Sequence, residues 1–195
     1  MPEIVELPEP KLSGAVPLQK VIAARRSRRD FSSKPLSLER LGQLAWAAQG
    51  QAPHSKYRTV PSAGATYPLE LFAVADRGLF HYAHAKHVLE TLDKRDLRSA
   101  LASAAWGQAF IAAGALTLVF AADFARTTSH YGQRGIRYVY MEAGHAAQNV
   151  HLQAEALGLG SVAVGAFDDE SVHKVLALPK NLEPIYMVVV GYCRR

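Results

Sequence analysis

Cysteine is nearly absent from this chain: among its 195 residues, Cys193 is the only one. A single cysteine excludes an intramolecular disulfide and a zinc site built from several cysteines. Low cysteine usage is also typical of a reducing compartment. The start of the sequence lacks the basic residues and apolar stretch of a secretory signal, because acidic residues and prolines follow Met1. We therefore expect a cytoplasmic protein.

The sequence carries only a small excess of charge of one sign. The net charge is +5, with 20% charged and 49% hydrophobic residues, which is ordinary for a soluble globular domain. Part of the positive excess lies in residues 25–29, Arg-Arg-Ser-Arg-Arg, here called the arginine cluster. No stripe of basic residues interleaved with aromatics, of the kind that nucleic-acid binders use, extends from it. The composition therefore predicts no nucleic-acid partner.

One uncharged run, residues 101–122, is long enough to span a membrane. It is rich in alanine, and Gly107 and Gly114 interrupt it. Residues 116–120 read Leu-Thr-Leu-Val-Phe, which is typical of a strand buried on both faces of a sheet. We therefore expect a helix, a turn and a central strand here, and no membrane partner.

The remaining pattern predicts one domain, residues 17–195, preceded by an irregular, proline-rich arm, residues 1–16. Ser37 is a candidate N-cap for a helix that ends at Gly50. The longest helical pattern, residues 133–157, carries small residues on several sides, so we expect a central helix packed all round. The other predicted elements are a helix from Pro17 to the arginine cluster, strands at 69–75, 79–82 and 185–190, and helices at 87–92 and 97–105.

Several familiar catalytic patterns are missing. His81, His84 and His87 are spaced by three, but we expect them to straddle a strand end and a helix start, which does not give one metal-binding face. Glu142 and His145 form a single Glu-x-x-His pair, whereas a di-iron carboxylate site needs two. There is no Gly-x-Ser-x-Gly elbow and no P-loop. We therefore predict no metal site and no serine or cysteine nucleophile.

The arginine cluster needs a negative partner. Four guanidinium groups within five residues repel one another, and a phosphate relieves this repulsion through paired, charge-assisted hydrogen bonds. A solvated basic helix end is the alternative, because cations also suit the negative pole of a helix dipole. A loop of small residues, 61–65, allows backbone N–H groups to approach a flat or anionic ligand, with an ordinary surface loop as the alternative. Residues 158–165 are also rich in glycine but match no dinucleotide-binding fingerprint.

Four ordered blocks of sequence carry a family resemblance. The first is the arginine cluster followed by Asp30-Phe31. The others are residues 58–70 (Arg-Thr-Val-Pro-Ser-Ala-Gly-Ala-Thr-Tyr-Pro-Leu-Glu), 137–149 (Arg-Tyr-Val-Tyr-Met-Glu-Ala-Gly-His-Ala-Ala-Gln-Asn) and 157–161 (Leu-Gly-Leu-Gly-Ser). The first block resembles the opening signature of the nitroreductase family of FMN-dependent oxidoreductases, and the others resemble its SagB-type branch. The resemblance covers residues 17–192.

The resemblance implies an α+β fold, a three-layer α/β/α sandwich with a central mixed sheet and a long central helix, which dimerises with FMN at the subunit interface. The cofactor-binding residues that it implies are Arg25, Ser27 and Arg29 for the phosphate and ribityl chain, with Arg26 close by; Pro61, Ser62, Ala63 and Gly64 against the flavin; Val164, Gly165 and Ala166 near the N5 edge; and Gln148 and Asn149 on the long helix. A purely structural role stays open for each.

Two places depart from the family pattern. Many members continue past the last strand with further phosphate-binding cations, whereas this sequence has Arg194 and Arg195 there. These two arginines either replace that contact or form a solvated terminus. Azoline-oxidising SagB-type members carry a Lys-Tyr pair upstream of the long helix, at the place where this sequence has His130-Tyr131. Tyr131 and His130 are therefore the candidate catalytic residues, with the histidine as a base.

The resemblance thus implies an FMN-dependent oxidoreductase that transfers hydride through flavin N5 by a ping-pong mechanism. NAD(P)H or the substrate itself is the expected donor, and a small molecule is the expected acceptor, within a homodimer. Two alternatives stay open. One is a SagB-type azoline dehydrogenase that acts on modified peptides, and the other is a non-catalytic module that binds nucleic acid or another polyanion through the arginine cluster.

Overall fold

A single sheet forms the centre of the protein in the computed structural model, which describes residues 2–52 and 55–194. Over those residues the sheet has seven strands: β1 (Glu3–Glu6), β2 (Leu69–Ala75), β3 (Gly78–Ala83), β4 (Val88–Asp93), β5 (Leu116–Ala122), β6 (Gly160–Val164) and β7 (Glu183–Gly191). The helices of the same ranges are α1 (Leu18–Ala24), α2 (Leu38–Gln49), α3 (Arg98–Ala104), α4 (Ala109–Ala113), α5 (Phe124–Tyr131), α6 (Arg134–Ala156) and α7 (Asp169–Val175). The strand order is β1-β4-β3-β2-β5-β7-β6.

Helices cover both faces of the sheet, which confirms the predicted α/β/α sandwich. On one face, α2 and α6 pack over side chains such as Leu118 and Val188. On the other face, α3, α4 and α7 pack over side chains such as Val119 and Val189. Successive residues of a strand point to opposite faces, so a strand that is covered on both sides must be apolar throughout. All of β5 is buried, and the prediction of a central buried strand is confirmed.

The direction of the strands differs from the predicted mixed sheet. All six neighbouring pairs in the described part of the chain are antiparallel. β5 and β6 do run in the same direction, because α6 carries the chain back across the sheet between them. However, β7 inserts between β5 and β6 and is antiparallel to both, so the two parallel strands are not neighbours.

Three strands of the sheet were not predicted from the sequence. The predicted helix at 87–92 is wrong: His87 adopts a left-handed turn (φ 52°), and β4 follows because Val88 and Leu89 pair with β3 and are buried. The arm predicted over residues 1–16 contains β1, which pairs with β4 at the sheet edge. The glycine-rich residues 158–165 contain β6, which pairs with β7. Each of these strands depends on a partner that the local pattern does not show.

Helix α6 lies within the predicted range 133–157 but is not packed on all sides. Its inner face, which includes Val139, is buried in the core. Its outer face leaves Tyr140 and Met141 about half exposed, and a side chain at Gly144 would meet no atom within 4 Å. Among the described residues, therefore, nothing covers this partly apolar face of α6.

The uncharged run at 101–122 divides between helical segments and the central strand β5, as predicted. The structure ends the helical part at Gly114, whose position leaves no room for a Cβ beside Val189. Within residues 2–52 and 55–194, no helix is both long enough and apolar enough to cross a membrane.

Candidate functional site

The arginine cluster lies against the edge strand β6. Helix α1 ends at Ala24, and the chain continues in an extended path beside β6. Ser27 forms a parallel bridge with Ser161, and the backbone N–H of Arg28 donates to the carbonyl oxygen of Ser161 at 2.9 Å. The backbone of the cluster is therefore fixed to the sheet, while its side chains remain at the surface.

Two of the four guanidinium groups already have partners. Arg28 lies 3.7 Å from Glu155 of α6, in an ion pair. Arg26 turns back and donates to the carbonyl oxygens of Ala23 and Arg25 at 2.9 and 3.0 Å, where it satisfies the end of α1. An arginine occupied in this way has less freedom to bind a ligand. Arg26 and Arg28 are therefore weaker candidates for ligand binding than the other two arginines of the cluster.

Arg25 and Arg29 are the remaining cations. In the described part of the chain, the guanidinium groups of Arg25 and Arg29 make no ion pair and no side-chain hydrogen bond. Arg29 lies over the ring of Phe110, with 5.6 Å between the guanidinium carbon and the ring centroid. Two positive groups without counter-charges on one short segment are an arrangement that a phosphate can satisfy.

A neutral histidine lies below the cluster. His151 of α6 is buried, and its Nδ1 lies 2.7 Å from the hydroxyl oxygen of Ser161. Burial, with a smaller contribution from the charge of Arg25, lowers the pKa of His151 to about 4. His151 is therefore uncharged at neutral pH and adds no second positive charge below Arg25.

Free backbone N–H groups follow β6, next to the arginine cluster. Val164 ends the strand with its side chain buried, and Gly165 and Ala166 come out to the surface. Across residues 2–52 and 55–194, no group accepts a hydrogen bond from the backbone N–H of Gly165 or Ala166. The carbonyl oxygen of Ala166 accepts from Nε2 of Gln108 at 2.8 Å, which fixes the segment.

The 61–64 loop, made of Pro61, Ser62, Ala63 and Gly64, forms a second surface with free N–H groups. The backbone N–H groups of Ser62, Ala63 and Gly64 have no acceptor within the described ranges. Gly64 is left-handed (φ 59°), and so is Ala65 (φ 54°). Such conformations are strained for a residue with a side chain and are common where a loop is shaped to hold a ligand.

Tyr131 reaches this loop from the end of α5. A Cβ on Gly64 would lie 2.8 Å from the Tyr131 hydroxyl oxygen, so only glycine fits below it. The Tyr131 ring packs edge-on against His130 (4.6 Å between centroids) and Tyr138 (5.2 Å). The structure therefore brings Tyr131 to the loop, whereas His130 is exposed beside it.

A buried polar group below the loop was missed by the sequence reasoning. The Glu142 side chain of α6 is buried, and its Oε1 has no hydrogen-bond partner in the described residues. Burial raises the pKa of Glu142 to about 7, although the Ser62 hydroxyl and the charge of Arg58 act in the opposite direction. The available signal was a carboxylate on the same helix face as Val139 and Ala146, within an otherwise apolar pattern.

Arg58 connects the loop to the surrounding elements. Its Nη1 donates to Oε1 of Gln49 at 2.7 Å and to the carbonyl oxygen of Leu69 at 3.0 Å. Its Nη2 lies 2.9 Å from Nε2 of His84, which must accept because arginine only donates. Burial lowers the pKa of Arg58 and that of His84. These bonds hold the 61–64 loop in one position against α2 and β2.

The remaining predicted residues lie between or beside these two surfaces. Asn149 donates to the carbonyl oxygens of Ala47 and Thr59 at 3.2 and 3.3 Å, and thus connects α6 to α2 and to the segment before the loop. Gln148 is exposed on the outer face of α6. Arg194 donates through Nε to the carbonyl oxygen of Phe31 at 3.0 Å. Arg195, predicted with Arg194 as a phosphate contact, lies outside the described residues.

The two surfaces are far apart within one chain. Glu142 lies below the 61–64 loop, and Glu155 lies beside the arginine cluster. These positions on α6 are about 20 Å apart along the helix axis, at a rise of roughly 1.5 Å per residue. No hydrogen bond or ion pair of the described residues joins the cluster to the loop. A single chain therefore holds two separate candidate surfaces.

Comparison with known proteins identifies the wider group. The sequence model of the nitroreductase family matches residues 22–192. A protein of Methanocaldococcus jannaschii assigned as a nitroreductase is 41% identical over 182 residues, which cover 90% of this chain and 91% of that protein. A solved structure from Ralstonia eutropha, also assigned as a nitroreductase, is 30% identical with a TM-score of 0.88, and the match covers 98% of this chain and 90% of that one.

A third similar structure is the Escherichia coli microcin synthetase complex McbBCD, solved with a truncated pro-MccB17 bound. One of its chains is 25% identical with a TM-score of 0.76, and the match covers 96% of this chain and 77% of that one. The family match extends over most of the sequence and includes the arginine cluster, the 61–64 loop and the segment after β6. The chain therefore belongs to the nitroreductase family.

Proposed function

We propose that this protein is an FMN-dependent oxidoreductase that acts as a homodimer. Two observations on the described residues together carry the proposal: the cations Arg25 and Arg29 have no counter-charge on the segment beside β6, and the backbone N–H groups of Gly165 and Ala166 after that strand are free. These groups suit the two ends of FMN, because guanidinium groups bind a phosphate and N–H groups donate to the acceptor atoms of a flavin ring. Membership of the nitroreductase family supports the same cofactor.

The homodimer follows from the division of the site. The outer face of α6 carries exposed Tyr140 and Met141, with Gly144 between turns. A two-fold axis through this face would place two copies of α6 antiparallel, since residues at one end of a helix then meet those at the other end of its copy. The 61–64 loop of one protomer would in this way approach the arginine cluster of its partner.

When bound, FMN supplies hydride transfer at N5 in a ping-pong cycle, with NAD(P)H or the substrate as donor and a small molecule as acceptor. The protein's own groups bind the cofactor and orient it. Arg25 and Arg29 would hold the phosphate, with Ser27 between them. The N–H groups of Gly165 and Ala166 would donate to acceptor atoms of the flavin, and the 61–64 loop would line the site and limit access of water.

The visible absorption spectrum of the purified protein tests this proposal. We expect a yellow protein, or one that becomes yellow with added FMN at one equivalent per chain, because each protomer supplies one arginine cluster. Anaerobic addition of NADH or NADPH should bleach the colour and identify the donor. A protein that stays colourless with added FMN and binds polyanions with steep salt dependence would contradict the proposal and support the non-catalytic alternative.

A second candidate function is an azoline dehydrogenase that acts on modified peptides. The likeness to a chain of the McbBCD microcin synthetase complex supports it. The sequence has His130-Tyr131 in place of the Lys-Tyr pair of that branch, which argues against the same base chemistry. Activity that requires a cyclodehydratase partner and a heterocyclised peptide would favour this candidate over a free-standing enzyme.

We expect Tyr131→Phe to lower turnover about tenfold without changing the FMN content. The hydroxyl of Tyr131 lies over Gly64 of the cofactor loop and can give or take a proton there, a role whose loss costs at least this much in general acid–base catalysis. Steady-state rates and the absorbance of bound FMN measure the two effects. Tyr57→Phe is the control, since Tyr57 is exposed. Equal rates for the wild type and Tyr131→Phe would remove Tyr131 from the mechanism.

A further inference from the structure

Trp106 is unusually exposed for its size. Its side chain has 69% of its surface accessible, the highest value among the large apolar residues that the structure describes. The other tryptophan, Trp46, is partly buried, and its Nε1 donates to the carbonyl oxygen of Gln51 at 3.1 Å. An indole ring left in water forgoes the favourable burial of a large apolar surface, so a ligand that covers it gains free energy.

The backbone holds Trp106 in a strained conformation. Trp106 is left-handed (φ 56°), and Gly107 after it is left-handed as well (φ 77°). A bulky residue rarely adopts this conformation, and it persists only where neighbouring contacts enforce it. In this conformation the indole ring of Trp106 lies exposed between α3 and α4.

Two hydrogen bonds fix the ends of this turn to the segment after β6. The carbonyl oxygen of Ala104 accepts from the N–H of Asp168 at 3.0 Å, and Nε2 of Gln108 donates to the carbonyl oxygen of Ala166 at 2.8 Å. Trp106 lies in sequence between these two anchors. The turn is therefore held beside Ala166, one of the residues proposed to approach the flavin.

The same turn continues toward the arginine cluster. Phe110, in the helix that follows the turn, lies below the guanidinium group of Arg29 at 5.6 Å. One short stretch of chain thus contacts both the proposed phosphate site and the proposed ring-edge site. An exposed aromatic face at this place has no role in binding the phosphate or in stabilising the core.

We propose that Trp106 is a substrate-binding residue that stacks on a planar aromatic ring, either that of an aromatic acceptor or the nicotinamide ring of the donor. This inference rests on the proposed function, because it needs FMN beside Ala166. Stacking of flat rings on an indole gains dispersion and quadrupole energy that a saturated ring of the same charge does not gain. Trp106 therefore selects planar substrates.

The test compares planar and non-planar probes on the FMN-loaded dimer. Binding of 4-nitrobenzoate, cyclohexanecarboxylate and NAD+ is followed by the change that each causes in the visible spectrum of oxidised FMN. For Trp106→Ala we expect at least a tenfold loss of affinity for 4-nitrobenzoate or for NAD+, judged by typical losses when a stacking ring is removed. If the affinity for 4-nitrobenzoate falls, Trp106 stacks on the acceptor; if the affinity for NAD+ falls, it stacks on the nicotinamide ring of the donor.

Control measurements separate stacking from other effects. Affinity for cyclohexanecarboxylate should change less than threefold in Trp106→Ala, and Trp106→Phe should retain the affinity for the planar probe within threefold. Trp46→Phe is the matched control and should bind every probe like the wild type. An equal loss for planar and saturated probes would overturn the proposal, as would unchanged affinity for both planar probes.

FMN affinity and oligomeric state are measured on the same variants. A tenfold weaker FMN affinity in Trp106→Ala would make Trp106 a cofactor contact, and a loss of the dimer would make it a subunit contact. Either result overturns the assignment to substrate. If the wild-type protein binds no FMN, the proposed function has failed before Trp106 is examined, so the two failures are distinguishable.

Discussion

The double variant Arg25→Ala, Arg29→Ala should bind FMN about 10²- to 10⁴-fold more weakly than the wild type. Hydrogen bonds to charged groups contribute about 1.5–3 kcal/mol each, and each 1.4 kcal/mol is about a factor of ten in affinity. Neither guanidinium group makes an ion pair or a side-chain hydrogen bond within the described residues, and Arg29 only lies over the ring of Phe110, so their loss should affect the ligand far more than the fold. The measurement is titration of the FMN-free protein, followed by quenching of FMN fluorescence.

The matched control is the double variant Lys20→Ala, Arg28→Ala. It removes the same charge from the same region, but Lys20 lies on the exposed side of α1 and Arg28 pairs with Glu155. We expect its FMN affinity to stay within a few-fold of the wild type at moderate salt. Equal losses in the two double variants would mean that FMN responds to the general positive potential, and direct contacts by Arg25 and Arg29 would be ruled out.

Glu142→Gln should remove a pH dependence of about 3 kcal/mol from the free energy of unfolding. The pKa of Glu142 rises from 4.5 to about 7 on folding, and each unit of difference is about 1.4 kcal/mol. Because the folded state favours the protonated carboxyl, this contribution is complete below about pH 4.5. It is lost as the pH rises to about 7, and it stays absent above that.

The wild-type profile alone does not reveal this contribution, because His151 acts in the opposite direction. The pKa of His151 falls on folding from 6.5 to about 4, so its contribution grows as the pH rises between these values. The informative quantity is the difference between the wild type and Glu142→Gln, measured by urea unfolding from pH 4 to 8 at one protein concentration. Relative to the wild type, the variant should gain stability steadily with pH.

Equal urea dependence of the unfolding free energy in both proteins is the internal control, since it shows that the substitution leaves the exposed surface unchanged. Parallel profiles across the whole pH range would contradict the prediction and would mean that Glu142 titrates in the folded state as it does in the unfolded chain. The experiment needs no cofactor, so it tests the buried group below the 61–64 loop independently of the proposed function.

The elements with a strong local pattern were predicted correctly from the sequence. Ser37 accepts a hydrogen bond from the N–H of Arg40 as the N-cap of α2, and α6 has the expected length. The hairpin of β2 and β3 forms across the turn at residues 76–77. The next residue is Gly78, where a Cβ would clash with the carbonyl oxygen of Asp93. In each case the signal lies within a few residues of the element itself: a capping side chain, a helical repeat, or a turn between two apolar runs.

The strands that were missed lack such a signal. β1, β4 and β6 become strands because a partner elsewhere in the chain provides their hydrogen bonds. The residues 88–91, Val-Leu-Glu-Thr, are compatible with either a helix or a strand until β3 lies beside them. A pattern read along one segment does not contain the position of its neighbour in the sheet.

The candidate site shows the same division. The arginine cluster and the 61–64 loop stand out in the sequence because each is a compact, unusual run. Arg58, Glu142 and Trp106 are single residues whose roles the sequence pattern does not show. The fold shows that Arg58 bonds α2 and β2, that one carboxylate oxygen of Glu142 is buried without a partner in the described residues, and that Trp106 is exposed at a strained turn. Nothing in the sequence pattern indicates that one chain keeps the two surfaces about 20 Å apart along α6.

The position of β7 between β5 and β6 also has a consequence for how the protein is made. β7 is the last strand in chain order, and it supplies the hydrogen bonds that both of its neighbours need: Val119 faces Met187, and Val162 faces Val189. On the ribosome, β5 and α6 therefore emerge before the strand that completes the sheet between them. Pairings between distant segments form slowly and leave apolar surface open in the meantime. We therefore expect the nascent chain to pass through a stage in which the sheet lacks β7 and apolar side chains are exposed. At this stage chaperone binding would matter most.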